Sequence, residues 1–141
     1  MRILIIAVLF SLITSCAIAE QKSICTSPLS VHDVMKALVE AGTNKIWRAQ
    51  EVNSDEQWAE LRYAAVSIIA GGDLISHGGA GKNDCDWAAT TEWQKENSDM
   101  ITAANDALSA IEKKDLDALS EIGSMALYSP CENCHRLFLK R

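Results

Sequence analysis

The sequence predicts an all-α fold, an antiparallel up-down-up-down bundle of four helices. Three observations carry that expectation. Apolar residues recur at helical spacing in four segments, residues that cap helix N-termini stand at the starts, and no segment alternates in the manner of a strand. The chain has 141 residues, enough for one domain with one core.

The first helix is expected over 31–49. Ser30 caps it, Asp33 lies in its first turn, and Val31, Val34, Met35, Leu38, Val39, Gly42 and Ile46 share one face. Ser54-Asp55-Glu56-Gln57 is a capping box, in which a hydroxyl and a side-chain amide each accept from the other residue's backbone N–H. Trp58, Leu61, Ala65, Ile68 and Ile69 form the stripe of a second helix, which is expected to end at about Gly72, with Gly71-Gly72 as its terminus and a close backbone approach to a bound group as their other reading. Glycines at 78, 79 and 81, with Asn83, Asp84 and Cys85, predict a long loop over 76–89. Thr90 or Thr91 opens a third helix whose buried face runs through Trp93, Met100, Ile101, Ala104, Leu108 and Ile111, and Lys113-Lys114 complement its dipole. Asp115 caps a fourth, through Leu116, Leu119, Ile122 and Met125. Ser129-Pro130-Cys131-Glu132 spells another capping box with proline in the first turn, so the last helix is expected to kink or restart there.

Met1-Arg2 and the apolar run from Ile3 to Ile13 form a charged n-region and an h-region too short to span a bilayer. Residues 1–19 therefore read as a signal peptide, with Ala17-Ile18-Ala19 as the small-x-small cleavage pattern and 20–141 as the mature domain. Ile13-Thr14-Ser15-Cys16 also resembles a bacterial lipobox, and lipidation at Cys16 is the alternative that would bring the chain to a membrane. Either route exports it, to the periplasm. The full chain carries 13 Lys and Arg against 19 Asp and Glu, a net charge of −6, and losing Arg2 makes it one more negative. Such acidity argues against a nucleic-acid partner and suits docking on a basic surface.

Cys131-Glu132-Asn133-Cys134-His135 has the spacing of covalent haem attachment. Two thiols three residues apart each add to a haem vinyl group, and the adjacent imidazole reaches the iron. Two rival readings use the same residue types. A zinc site lacks a fourth ligand, since His32 and His77 lie far upstream without the usual pairing. A thioredoxin-like redox centre belongs at a strand-to-helix turn, in a βαβ context this chain lacks. Of the five cysteines, Cys25 and Cys85 remain in an oxidising compartment, where a disulfide between them is expected and two free buried thiols are the alternative.

An exported four-helix chain with its one haem motif on the final helix resembles the class II cytochromes c, the cytochrome c-prime family. The resemblance covers the mature chain and rests on the 131–135 pentad, Phe138 three residues after the histidine, and helix one. It implies a bundle enclosing one covalent haem c, with Phe138 packed beside it, in a carrier of single electrons whose partners are periplasmic redox proteins. The family commonly has a basic residue directly after that aromatic; here Leu139 stands there, leaving Arg136, Lys140 or Arg141 to neutralise a propionate. Val34-Met35-Lys36 is similar to the setting in which the low-spin branch places its sixth ligand, so the resemblance makes Met35 the iron ligand opposite His135. A thioether there favours ferrous iron and blocks small ligands. If Met35 only packs against the porphyrin, the iron is five-coordinate, and the alternative function is binding of nitric oxide or carbon monoxide. Members of the family often pair through helices one and two, and a homodimer is left open.

His32, one turn before Met35 on the same helix, is the bis-histidine alternative, with a surface role as the competing reading. His77 beside Gly78-Gly79 reads as a solvated loop residue, with a propionate contact as its other reading. Trp47, Trp58, Trp87 and Trp93 either border the haem or, for Trp58 and Trp93 at helical spacing, fill the core. No acid/base pair, Ser-His-Asp arrangement, phosphate loop or dinucleotide fingerprint is present, and no enzymatic activity is expected.

Overall fold

The structure, a computed structural model, describes Cys25 and residues 27–139. The expected signal peptide over 1–19, Cys16, Lys140 and Arg141 lie outside the described residues. The fold is all-helical: 77% of the described residues are in helices, and no strand occurs among them. No helix among them is long and apolar enough to cross a membrane.

Helix α1 occupies 31–47 as Val31–Val34, a π-helical turn Met35–Val39, and Glu40–Trp47, two residues shorter than expected. The Ser30 hydroxyl accepts from the Asp33 N–H at 3.1 Å and donates to its carboxylate at 2.6 Å, which holds the Asp33 carboxyl below its ordinary value. A cap of this kind contributes about 1 kcal/mol. Helix α2, Asp55–Ser76, opens on the expected capping box: Ser54 Oγ accepts from Gln57 N–H at 3.3 Å, and Gln57 Oε1 accepts from Ser54 N–H at 3.2 Å.

Contrary to expectation, α2 continues four residues beyond Gly72. Its terminal carbonyls are taken up from outside the helix: Ile75 O accepts from Trp93 Nε1 at 3.0 Å and Ser76 O from Gln94 Nε2 at 2.8 Å. Gly71 and Gly72 therefore lie mid-helix. A Cβ at 71 would stand 2.7 Å from Val39 Cγ2, and one at 72 would stand 2.6 Å from Ile101 Cγ1, so these glycines admit the neighbouring helices. The segment expected as a loop also holds a short helix α3, Asp84–Ala88.

Thr90 caps α4, Thr91–Glu112, accepting from Trp93 N–H at 3.2 Å. The helix ends in a Schellman motif. Asp115 N–H donates to Ala110 O at 2.9 Å and Lys114 N–H to Ile111 O at 3.0 Å, with Lys114 at φ 54° in the position glycine usually fills. Asp115 then caps α5 through Ala118 N–H at 3.0 Å.

Helix α5 runs over 116–138 as Leu116–Glu121, a π-helical turn Ile122–Ala126, and Tyr128–Phe138. The inserted residue of a π turn rotates the downstream side chains by about 100° relative to an unbroken α-helix. Met125, expected on the buried face, is accordingly 65% exposed, while Gly123 and Leu127 are buried. The restart comes at Tyr128, without a side-chain cap, rather than at a Ser129 capping box. Pro130 is thus the third residue of that segment, in a first turn where a missing N–H costs little.

α2 packs on both α1 and α4, and α5 packs on α4 with smaller contacts to α1. Small residues allow this: Ala64, Ala65, Ala103, Ala104, Ala107 and Ala110 are all buried, and Gly42 brings α1 against the Ala64 carbonyl. Ile68, Leu119, Leu127 and Val39 fill the centre.

Candidate functional site

The pentad lies on the final segment of α5, Tyr128–Phe138. Helical spacing of three and four places Cys131, Cys134 and Phe138 on one face, and all three are half-buried against the core. Cys131 Sγ donates to Leu127 O at 3.2 Å. Asn133 Nδ2 donates to Glu96 Oε2 at 3.2 Å, joining this segment to α4.

These side chains form one wall of a cleft of about 540 Å³, counting its open mouth. Val31 and Met35 of α1 contribute another wall, with Ile75 at the end of α2 and Trp87 on α3. Trp93, Glu96, Asn97 and Met100 of α4 close it, and Pro130, His135 and Leu139 complete the α5 side. Trp87 and Trp93 stack at 5.9 Å between ring centroids, and Phe138 meets Trp93 edge-on at 5.2 Å. His135 is exposed at the mouth and also lines a wider cleft of about 1100 Å³ with Trp47 and Tyr128.

Burial pushes both cysteine thiols up. Cys134 reaches about 11, from burial first, then from the charges of Glu96 and Cys131. Both are therefore neutral thiols at neutral pH, the opposite of the depressed thiolate that a thioredoxin-like centre requires. Among the described residues, no three of His, Cys, Asp and Glu gather in a group able to hold a metal ion.

Two polar groups on the cleft wall stand out. Asn97, 4% exposed, donates through Nδ2 to Gly72 O at 2.9 Å, while its buried Oδ1 has no partner. Glu96 is buried beside it. Neither was singled out from sequence, although the signal is present: 93, 96, 97 and 100 form one helical face, and two of its four residues are polar.

The remaining predicted residues are dispersed. His32 is 81% exposed, pairs with Asp33 at 3.8 Å, and does not line the cleft. His77 is also outside it, with Nδ1 2.8 Å from Ser76 Oγ. Arg136 is exposed and donates to Asn133 Oδ1 at 3.0 Å. Cys25 and Cys85 are joined as a disulfide, with their Cα atoms 5.7 Å apart. Trp47 donates to Gly123 O at 2.8 Å and lines the second cleft but not the first, and Trp58 packs at the edge of the core. No family model, curated protein or solved structure matches this chain.

Proposed function

We propose that the chain is an exported monohaem c-type cytochrome of the class II type, carrying single electrons between periplasmic redox proteins. The observation that carries this reading is the convergence of Cys131, Cys134 and His135 on one cleft with Met35, which lies about a hundred residues earlier in the sequence.

The residues present fit a haem. The lining of the cleft is largely apolar and aromatic, with a few polar and sulfur-bearing side chains converging on it, as in small-molecule and cofactor sites. Cys131 and Cys134 would hold the group through thioethers, and His135 and Met35 would supply a nitrogen and a sulfur to its iron. When bound, haem supplies the one-electron ferric/ferrous couple. The chain does the rest: Trp87, Trp93 and Phe138 wall out water, and an apolar surround with a thioether ligand favours the less charged ferrous state.

The proposed frame is an antiparallel bundle. Along α1 and α2, Gly42 lies against Ala64 and Ile68, while Gly71 lies against Leu38 and Val39, so one helix ascends as the other descends. At the next turn, the end of α2 meets the start of α4 through Ile75 with Trp93 and Gly72 with Asn97. Asn133 with Glu96 brings the end of α5 to that same end.

Visible spectroscopy of the haem-loaded protein tests the ligand set. His135 and Met35 together give a low-spin ferric spectrum with the weak long-wavelength band of thioether ligation, and Met35→Ala abolishes that band and opens the iron to carbon monoxide. A high-spin spectrum of the wild type contradicts electron transfer through a Met35-ligated iron and favours the gas-binding alternative.

A further inference from the structure

We infer that Asp84 is the positioning residue for Met35, acting through the first turn of α1. The inference rests on the proposed ligation by Met35 and adds the device that sets its place. Asp84 is only 4% exposed and lies on α3, remote in sequence from α1. Its Oδ2 accepts from Val31 N–H at 2.8 Å, the first amide of α1, and from Gly81 N–H at 2.8 Å. Val31 and Met35 are one helical turn apart, and both line the cleft.

The surroundings over-determine this carboxylate. A Cβ on Gly81 would stand 2.5 Å from Asp84 Oδ2, and one on Gly79 would stand 2.7 Å from it and 2.6 Å from Leu29 O. Ala80 N–H donates to Leu29 O at 2.9 Å, and the Cys25–Cys85 disulfide fastens the segment before α1 to the residue next to Asp84. On the other side, Trp87 carries α3 into the cleft wall. The start of α1 is thus clamped to the glycine loop four residues before Met35, so a ligand on an otherwise terminal helix turn is held instead of fraying away.

The test uses the haem-loaded full chain, with carbon monoxide as the probe. Asp84→Ala weakens or removes the long-wavelength ferric band and speeds carbon monoxide binding by about tenfold or more, as the ligated population falls. Asp84→Asn keeps a carbonyl oxygen for the two amides and retains the wild-type spectrum. Gly81→Ala displaces the carboxylate without removing it, and it carries the comparison if Asp84→Ala does not accumulate. Leu61→Ala, a core truncation outside the cleft, lowers stability yet leaves the band in place, which separates positioning from general loosening. A wild type that has the band, with Asp84→Ala or Gly81→Ala keeping both band and binding rate, overturns the positioning role alone. A wild type without the band overturns Met35 ligation, and the positioning role with it.

Discussion

Asn133 donates a 3.2 Å hydrogen bond to the buried carboxylate of Glu96, tying the middle of the 131–135 pentad to α4. The bond sets how α5 is rotated at its end, and so helps to turn Cys131 and Cys134 toward the cleft. Glu96→Ala leaves the Asn133 amide without its acceptor and should lower stability by about 1–3 kcal/mol, whereas Glu96→Gln keeps an acceptor and should cost less. Urea denaturation of the two variants measures the difference, and equal losses would deny the bond its role.

The Cys134 thiol, raised from 9.0 to about 11, makes the haem-free chain sensitive to alkali. Above the ordinary thiol value the unfolded chain gives up this proton while the folded chain still holds it. The unfolded state then binds fewer protons, and stability falls as pH rises from about 9 to about 11. Cys131, also raised by burial, acts in the same direction. Urea midpoints across that window should fall less steeply in Cys134→Ala, and less steeply in the proposed haem-loaded form, whose thioethers would carry no proton.

Gly42→Ala sets helix propensity against packing. Alanine favours the helix by about 1 kcal/mol, but its Cβ would stand 2.6 Å from Ala64 O and 2.8 Å from Ile68 Cγ1. A backbone oxygen cannot rotate away, and overpacking typically costs about 1–3 kcal/mol, so a net loss of stability is expected. Gly72→Ala, which meets the movable side chain of Ile101, should be milder. Denaturant midpoints rank the two.

The Cys25–Cys85 bridge spans a sequence separation of 60, which corresponds to about 4 kcal/mol in the chain-entropy account of disulfides. Cys25→Ser with Cys85→Ser should lower the thermal midpoint, and added reductant should lower that of the wild type but not of the double variant. Equal midpoints for wild type and double variant would contradict this.

The all-helical class and the caps at Ser30, Ser54, Thr90 and Asp115 were legible because each depends on a few neighbouring residues. The errors share a different cause. Gly71 and Gly72 resembled a helix end because glycine serves both there and at close helix contacts, and only the positions of Val39 and Ile101 separate the two. Met125 was misplaced because a π turn changes the helical phase without a composition of its own. That Cys131, Cys134 and Phe138 share one helical face could be read from their spacing. Asp84, Glu96 and Asn97 could not be assigned roles without knowing that Val31, Asn133 and Gly72 lie next to them.

Intact-mass and peptide mass spectrometry of the full chain, expressed in a periplasm equipped for haem attachment, tests the central claim most directly. The account predicts one haem per chain, on the peptide containing Cys131 and Cys134 and absent from the Cys131→Ala,Cys134→Ala variant. A chain of unmodified mass, with both thiols still open to alkylation, would contradict it.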